Sequence, residues 1–259
     1  MSILKAAALM FSMFTRIPMP KVEWSEENLR YMLCFFPLAG VVIGLVLAGW
    51  FWFCGVFHIG TLLFAAGVTL IPVAVTGGIH LDGYCDTVDA LASHASPERK
   101  REILKDPHTG AFAIIGAGAY LLLYFSISTE LIPNIKTWLL LALMHGLSRT
   151  LSGLSVIGFP SSASKGLLDA FKASADKKRS AAILLLLLAG CVAGLWLTAP
   201  VAGGAMILAA LFCALYLFNM SKRQFGGMSG DLAGYFLQLC ELAMLAALVL
   251  IQKVVIRWY

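Results

Sequence analysis

Charged residues are scarce in this sequence. They make up 13% of its 259 residues, whereas soluble domains usually contain about 25%. In contrast, 60% of the residues are hydrophobic. A chain with so few charges cannot cover an apolar core with a water-soluble surface, so a soluble protein is excluded. We therefore expect an integral membrane protein in which residues 1–259 form one membrane-embedded domain.

The sequence also lacks paired cysteines. Its six cysteines include no pair with the CxxC spacing, and five of the six lie in apolar runs. Such cysteines are typical of small buried hydrophobic residues, so neither a zinc module nor a disulfide framework is expected. A basic stripe with interleaved aromatic residues is missing as well, and binding to nucleic acid is therefore not expected.

Long apolar runs are the main feature that is present. About seven of them are long enough to cross a bilayer, which takes about 20 residues of α-helix. They are residues 32–57, 61–79, 111–129, 137–159, 180–199, 201–220 and 232–255. The predicted fold class is therefore all-α, a polytopic helical bundle with about seven transmembrane helices. The junction at Pro200 is either a tight hairpin or a kink.

The N-terminal segment has a different, amphipathic pattern. On a helix, Ser2, Lys5, Ser12 and Arg16 share one face, and apolar side chains lie opposite. No small-residue cleavage site follows before Arg16, so a signal peptide is not expected. The pattern predicts an interfacial helix that lies in the plane of the membrane.

Basic residues predict the orientation of the chain. With the N-terminus in the cytoplasm, the outer segments hold only Lys136, Lys253 and Arg257. Because Lys and Arg concentrate in cytoplasmic loops, we expect an inside N-terminus and an outside C-terminus. Every large charged loop, including residues 165–179, is then cytoplasmic. The net charge of +5 reflects this topology and attraction to membrane lipids.

Three aspartates, Asp82, Asp86 and Asp89, follow one another where an apolar run meets the first strongly charged loop. The spacing i, i+4, i+7 places all three on one face of a helix, where like charges repel. A divalent cation removes that repulsion, and Mg²⁺ takes carboxylate oxygens that it commonly shares with substrate phosphates. The spacing therefore predicts a Mg²⁺ site. The alternative is a solvated polar face just outside the membrane.

Two further loops carry candidate ligands. Lys105 and Asp106 return to the membrane after a short helix, which places a cation and a fourth carboxylate near the three aspartates. The other loop contains glycines, which allow backbone N–H groups to approach an anionic ligand. Its Asp231 is either the N-cap of the last helix or a further metal ligand. The candidates in this second loop are Lys222, Arg223, Gly226, Gly227, Gly230 and Asp231.

Ionisable residues also occur inside the predicted spans. His145, Arg149 and Ser152 share one face of the fourth span, and Glu241 lies in the seventh. Such residues face a cavity or one another. Arg149 either pairs with Glu241 or reaches a substrate phosphate. We expect the second, since a guanidinium group matches phosphate geometry.

Four segments together resemble a known family. They are residues 14–20, 78–89, 104–112 and 226–231, and they occur in the order that is usual for that family. On these motifs, the chain resembles cobalamin-5′-phosphate synthase, also called adenosylcobinamide-GDP ribazoletransferase. The chain has Ala90 where the family usually has glycine, but this difference leaves the carboxylates unchanged.

The resemblance implies a reaction and its partners. Adenosylcobinamide-GDP reacts with α-ribazole or α-ribazole 5′-phosphate in a Mg²⁺-dependent step that releases GMP, at the cytoplasmic side of a bacterial inner membrane. Self-association, or a complex with other enzymes of vitamin B12 assembly, is a further expectation. Two alternatives are a CDP-alcohol type phosphotransferase and a cation-coupled transporter.

The resemblance also implies roles for individual residues. Asp82 and Asp86 are expected to bind the metal, and Asp89 is the candidate general base by analogy with CDP-alcohol phosphotransferases. The full expected metal set is Asp82, Asp86, Asp89 and Asp106. The expected substrate-binding residues are Arg16, His80, Lys105, Arg149, Lys222, Arg223, Gly226, Gly227, Gly230 and Asp231.

Overall fold

The structure is a computed structural model that describes residues 2–162 and 167–258. Within these ranges it is helical, apart from loops and one backbone bridge between Ser161 and Met228. A short 3₁₀ turn, Met32–Phe35, precedes α3. The helices are α1 (Ser2–Phe14), α2 (Glu26–Leu29), α3 (Phe36–Val56), α4 (Thr61–Thr76), α5 (Ile79–Ala92), α6 (Pro97–Ile103), α7 (Ala111–Ser128), α8 (Ile135–Gly158), α9 (Leu167–Ser174), α10 (Lys177–Thr198), α11 (Pro200–Phe225) and α12 (Gly230–Trp258).

The predicted all-α membrane bundle is confirmed. In the described residues, six helical stretches are long and apolar enough to cross a membrane: Glu26–Val56, which contains α2, the 3₁₀ turn and α3, and then α7, α8, α10, α11 and α12. Helices α4 and α5 meet at 94° and pass the same test only when taken together, which makes up to seven spans. Large side chains such as Leu122, Leu186 and Phe212 are exposed on the outside of the bundle, where a bilayer would cover them.

Helix α8 lies at the centre of the bundle, packed against α3, α10 and α12. Glycines on α3 make the first of these contacts close: a Cβ on Gly40 would lie 2.4 Å from the carbonyl oxygen of His145. Gly44 faces Ala142 in the same way, and its carbonyl accepts a hydrogen bond of 2.8 Å from the indole of Trp138. Small residues let membrane helices approach and pack when no hydrophobic effect drives them together.

The junction before Pro200 is a hairpin rather than a kink. Ala199 is extended, with φ −157° and ψ 97°, and it ends α10 and begins α11. The two helices then pack side by side. A Cβ on Gly203 would lie 2.2 Å from the carbonyl oxygen of Leu195, so glycine is required where the hairpin closes.

Helix α1 differs in part from its predicted faces. Ala6, Leu9 and Met10 are buried against the bundle, whereas the equally apolar Ile3 and Leu4 are exposed. The reason is that α1 has two apolar sides. One packs against α3 and the short segments before it, and the other is free to contact lipid.

The loops fall at two ends of the bundle. At one end, the amide of Arg16 donates to Val75 O at 2.8 Å, that of Asp176 to Arg30 O, and that of Met228 to Pro160 O. At the other end, Lys253 pairs with Glu130 at 2.6 Å. We call the first the basic end. It carries the basic residues of α6, of the start of α10 and of the end of α11, together with Arg16, Arg30 and Lys105.

Candidate active site

Two successive glycines turn the chain from α4 into α5 at the basic end. Gly77 and Gly78 have φ angles of 66° and 81°, a left-handed conformation that favours glycine. The side chain of Arg16 packs on this turn, with its Nε 2.5 Å from the position that a Cβ on Gly77 would occupy. The turn therefore starts α5 at the basic end and places Arg16 beside it.

Helix α5 then crosses the start of α12 in close contact. A Cβ on Gly83 would lie 2.9 Å from Cα of Asp231, and one on Gly234 would lie 2.8 Å from the carbonyl oxygen of His80. These glycines bring Asp231 to the aspartates of α5. The cap of α12 is Ser229, whose hydroxyl accepts a hydrogen bond of 3.3 Å from the amide of Leu232. Asp231 is therefore not the N-cap.

The result is a cluster of carboxylates contributed by two helices. The negative charges of Asp82, Asp231 and Asp89 all act on Asp86, and that of Asp82 acts on Asp231. Asp82 is exposed, and Asp86 is half-buried. We call Asp82, Asp86 and Asp231 the carboxylate cluster. Its repulsion is a reason to expect a cation.

The donor set of the carboxylate cluster fits Mg²⁺ but does not form a closed cage. In residues 2–162 and 167–258, no three His, Cys, Asp or Glu side chains are close enough to hold an ion by themselves. Magnesium is usually held by one or two carboxylates together with waters and substrate phosphates. An open group of hard oxygen donors is therefore compatible with Mg²⁺ shared with a diphosphate.

Asp89, the third aspartate of the predicted face, has a structural partner. Its Oδ2 accepts a hydrogen bond of 2.6 Å from Gly110 N, and its Oδ1 accepts one of 2.8 Å from Ala113 N. Gly110 is the N-cap of α7 and has no side chain to accept these bonds, so Asp89 takes over the capping role. This arrangement favours a role in positioning α7 over the predicted roles in metal binding and as general base.

Asp106 does not join the carboxylate cluster. It is exposed, and its Oδ1 accepts a hydrogen bond of 3.0 Å from the amide of His108 and lies 2.7 Å from the His108 ring nitrogen. The amide and ring of His108 hold the pKa of the Asp106 carboxyl below its usual range. The charged groups that act on it are His108 and Arg99 rather than the aspartates of α5. The structure therefore does not bring Asp106 to the carboxylate cluster, because the turn directs it to solvent, and its role as a fourth ligand stays a prediction.

A cavity of about 530 Å³ opens beside the carboxylate cluster. We call it the basal cavity. Apolar side chains from α1, α3, α8 and α12 form most of its wall, and polar side chains lie among them. Its lining includes Phe14, Phe36, His80, Asp82, Lys105, Ser152, Val156, Ser229, Gly230, Asp231 and Leu237. Of the predicted substrate-binding residues, His80, Lys105, Gly230 and Asp231 line it.

The other predicted residues lie elsewhere. Gly226 has φ 70° and ends α11, and a Cβ on Gly227 would lie 2.4 Å from the backbone carbon of Ser161. Local structure thus explains both glycines. Lys222 and Arg223 are exposed in the last turn of α11, and neither belongs to the described lining of the basal cavity.

Arg149 is buried and paired inside the bundle. Only 1% of it is exposed, and its Nη1 lies 2.7 Å from Oε1 of Glu241. His145 Nδ1 lies 3.1 Å from the other carboxylate oxygen, and Ser148 donates to Oε1 at 2.7 Å. The structure therefore supports the Arg149–Glu241 pair. The expectation that Arg149 reaches a substrate phosphate does not fit this geometry.

Comparison with known proteins agrees with the motifs. The family model for cobalamin-5-phosphate synthase matches residues 6–249. The chain belongs to the cobalamin-5-phosphate synthase family. The match includes α5, the Lys105 loop and the start of α12, so it covers every element that contributes to the carboxylate cluster.

Several relatives in this family are named adenosylcobinamide-GDP ribazoletransferase. One from Lachnoclostridium phytofermentans is 44% identical over 246 residues, which cover 95% of this chain and 94% of the relative. One from Pseudomonas syringae pv. syringae is 36% identical and covers 88% and 91%. One from Desulfitobacterium hafniense is 34% identical and covers 89% and 91%. No solved structure matched the chain.

Proposed function

We propose that the chain transfers the cobinamide-phosphate group of adenosylcobinamide-GDP to α-ribazole or α-ribazole 5′-phosphate. GMP leaves, and the product is adenosylcobalamin or its 5′-phosphate. The observation that carries the proposal is the carboxylate cluster at the mouth of the basal cavity, in a chain of this family. The negative charge of the cluster would attract the cation that binds the diphosphate, and the cavity has room for a second substrate.

The chemistry requires one bond to form and one to break. A ribazole hydroxyl bonds to the phosphorus next to cobinamide, the P–O bond to the GMP phosphate breaks so that GMP leaves, and the hydroxyl proton passes to solvent. Mg²⁺ bound to the cluster would neutralise the diphosphate and the leaving GMP. Asp82, Asp86 and Asp231 would supply the oxygen ligands, and Lys105 adds a positive charge at the mouth of the cavity.

We further propose that the basic end faces the cytoplasm of a bacterial inner membrane. The bias of Lys and Arg toward this end supports the assignment. With seven spans, counting α4 and α5 as one, the C-terminus lies on the opposite side from the N-terminus. Substrates then reach the carboxylate cluster from the cytoplasm.

The location of the cluster argues against the transporter alternative. Transporters bind ions near the midplane, at broken helices of paired repeats. Here the carboxylates lie at the basic end of the bundle, next to the Gly77–Gly78 turn.

Release of GMP tests the proposal directly. Purified protein in lipid nanodiscs is mixed with adenosylcobinamide-GDP, α-ribazole and Mg²⁺, and GMP and corrinoid products are measured by chromatography. We expect GMP and adenosylcobalamin in equal amounts, and neither with EDTA. GMP without a new corrinoid product would indicate a hydrolase, and no GMP at all would refute the proposal.

A further inference from the structure

The inner wall of the basal cavity contains two buried polar atoms without partners. His80 is 5% exposed and Ser152 is 1% exposed. Neither His80 Nε2 nor the Ser152 hydroxyl has a hydrogen-bond partner in the described part of the chain. Leaving such a group unpaired costs about 1–3 kcal/mol. Each atom is covered by protein, while both residues line the cavity, so a ligand that turns these two side chains toward the cavity is the available source of partners.

The surroundings of His80 are aromatic. The ring of Phe14 is stacked with the imidazole at a centroid distance of 5.9 Å, and Phe36 meets it edge-on at 5.6 Å. The rings of Phe14 and Phe36 are themselves 4.7 Å apart. Three packed rings form a rigid surface that suits another flat aromatic group.

Charge divides the cavity into an inner part and a mouth. Asp82 and Asp231 belong to the carboxylate cluster, and Lys105 is the basic residue among the described lining residues. Beyond them, side chains such as Val156 and Leu237 make the wall apolar. An uncharged group fits the inner part, and a phosphate or reacting hydroxyl fits the mouth.

We infer that the basal cavity is the acceptor pocket, in which the aromatic base and ribose of α-ribazole bind between the Phe14–His80–Phe36 rings and Ser152. This inference rests on the proposed function and assigns one of its two substrates to a place. His80 Nε2 and the Ser152 hydroxyl hydrogen-bond the nucleoside, and the ribose is then held near the carboxylate cluster.

Two other occupants match the cavity less well. A lipid acyl chain would fill the apolar part but leave His80 Nε2 and Ser152 Oγ unpaired. The corrinoid ring with its amide side chains is far bulkier than a nucleoside, and a cavity of about 530 Å³ is within the usual range for small ligands, about 300–1,000 Å³. The corrinoid is therefore placed outside the cavity, with its diphosphate at the mouth.

Calorimetric titration with α-ribazole alone tests the inference without turnover. Val156→Trp fills the cavity from α8, and we expect it to abolish heat of binding. The matched control is Val41→Trp on α3, where Val41 is exposed on the outside of the bundle, and we expect it to bind like the wild type. His80→Phe keeps an aromatic ring but removes Nε2, and we expect binding to weaken about 10-fold. Size-exclusion profiles and helical circular dichroism check that each variant is folded.

Steady-state kinetics separates the two substrates. His80→Phe and Ser152→Ala should raise KM for α-ribazole about 10-fold and leave KM for adenosylcobinamide-GDP within about twofold. Ser155→Ala is the control, because the Ser155 hydroxyl bonds to Ser152 O at 2.7 Å and Ser155 does not belong to the described cavity lining.

The outcomes distinguish this inference from the proposed function. Wild-type turnover with unchanged ribazole binding in folded Val156→Trp and His80→Phe would overturn the pocket assignment alone. A rise in KM for the GDP-corrinoid instead would place that substrate in the cavity and also overturn it. If the wild type releases no GMP but binds α-ribazole, and Val156→Trp does not, the pocket stands while the proposed reaction fails. Absence of ribazole binding to the wild type overturns the pocket.

Discussion

Glu241 of α12 holds Arg149 of α8 in an ion pair of 2.7 Å inside the bundle. Both side chains are 2% exposed. The Glu241 carboxylate also accepts a hydrogen bond from the Ser148 hydroxyl and lies next to the His145 ring. Charges buried in a membrane bundle are tolerated when they pair in this way. The pair therefore locks α8 against α12, the helix that carries Asp231 into the carboxylate cluster.

Breaking this pair on one side should destabilise the protein. Arg149→Met or Glu241→Gln leaves a buried polar group uncompensated, and for Arg149→Met we expect a loss of about 3–5 kcal/mol. Combining the two should restore most of the stability and of the activity lost in either single variant. Thermal unfolding in detergent and GMP release measure both effects.

A phosphate-binding role of Arg149 would give a different set of results. If Arg149 instead binds a substrate phosphate, the double variant stays inactive even when its stability returns, and Arg149→Lys raises KM for the GDP-corrinoid. A mild effect of Arg149→Lys agrees with the pair.

Removing a carboxylate of the cluster should stop the reaction without unfolding the protein. Asp82→Asn and Asp86→Asn each remove a proposed metal ligand from a group of mutually repelling carboxylates, so we expect turnover to fall at least about 100-fold. Stability should stay the same or rise. Asp106→Asn is the matched control, because Asp106 is exposed and bonded to His108, and we expect near-normal turnover. Near-normal turnover of both Asp82→Asn and Asp86→Asn at the Mg²⁺ concentration used for the wild type would refute the metal-site assignment.

Asp89 should behave differently from its two neighbours. Asp89→Asn keeps one oxygen acceptor for the start of α7 and loses the other, which is expected to cost about 1 kcal/mol, or about 2–4 °C in the melting midpoint. Turnover at saturating substrates should stay within about threefold of the wild type. Abolished turnover with an unchanged melting midpoint would instead restore the predicted role as general base.

The helices and the aspartate face were predictable because both depend on the pattern of residues that are close together in the sequence. Apolar runs long enough for a bilayer become spanning helices whatever their partners are. The spacing of Asp82, Asp86 and Asp89 fixes their common face once α5 is a helix. The sequence-level predictions are therefore best where neighbours along the chain decide the outcome.

Contacts between residues that are distant in the sequence were not predictable from such local patterns. Asp89 bonds to an amide 21 residues away because the N-cap of α7 is glycine, and only the packing of α5 on α7 brings them together. The Arg149–Glu241 pair depends on the rotation of α8 relative to α12. A glycine at the start of a long helix is the one signal that could have suggested an outside cap for α7.

Cysteine labelling tests the orientation of the bundle. Lys178 at the start of α10 and Lys136 at the start of α8 are both exposed, and they lie at opposite ends of their neighbouring spans. With a membrane-impermeant maleimide and intact cells, we expect Lys136→Cys to be labelled and Lys178→Cys to be labelled only after lysis. The unmodified chain, with its six native cysteines, provides the background. Labelling of Lys178→Cys in intact cells would show that the bundle has the opposite orientation in the membrane.

The close approach of α5 and α12 at Gly83 should be needed for activity. Gly83→Ala places a Cβ 2.9 Å from both Cα and the carbonyl oxygen of Asp231, and backbone atoms cannot rotate away as a side chain would. Helix α12 must therefore shift, which moves Asp231 relative to Asp82 and Asp86. We expect turnover to fall about 10–100-fold and half-saturation by Mg²⁺ to need a higher concentration.

Gly118→Ala on α7 controls for the loss of a helical glycine, because a Cβ there meets nothing within 4 Å. It should leave turnover unchanged and slightly raise stability, since alanine favours helix over glycine by about 1 kcal/mol. Normal turnover and normal Mg²⁺ dependence in Gly83→Ala would mean that Asp231 does not act together with the aspartates of α5. Asp231→Asn would then be expected to retain activity, whereas membership in the cluster requires it to lose activity as Asp82→Asn does.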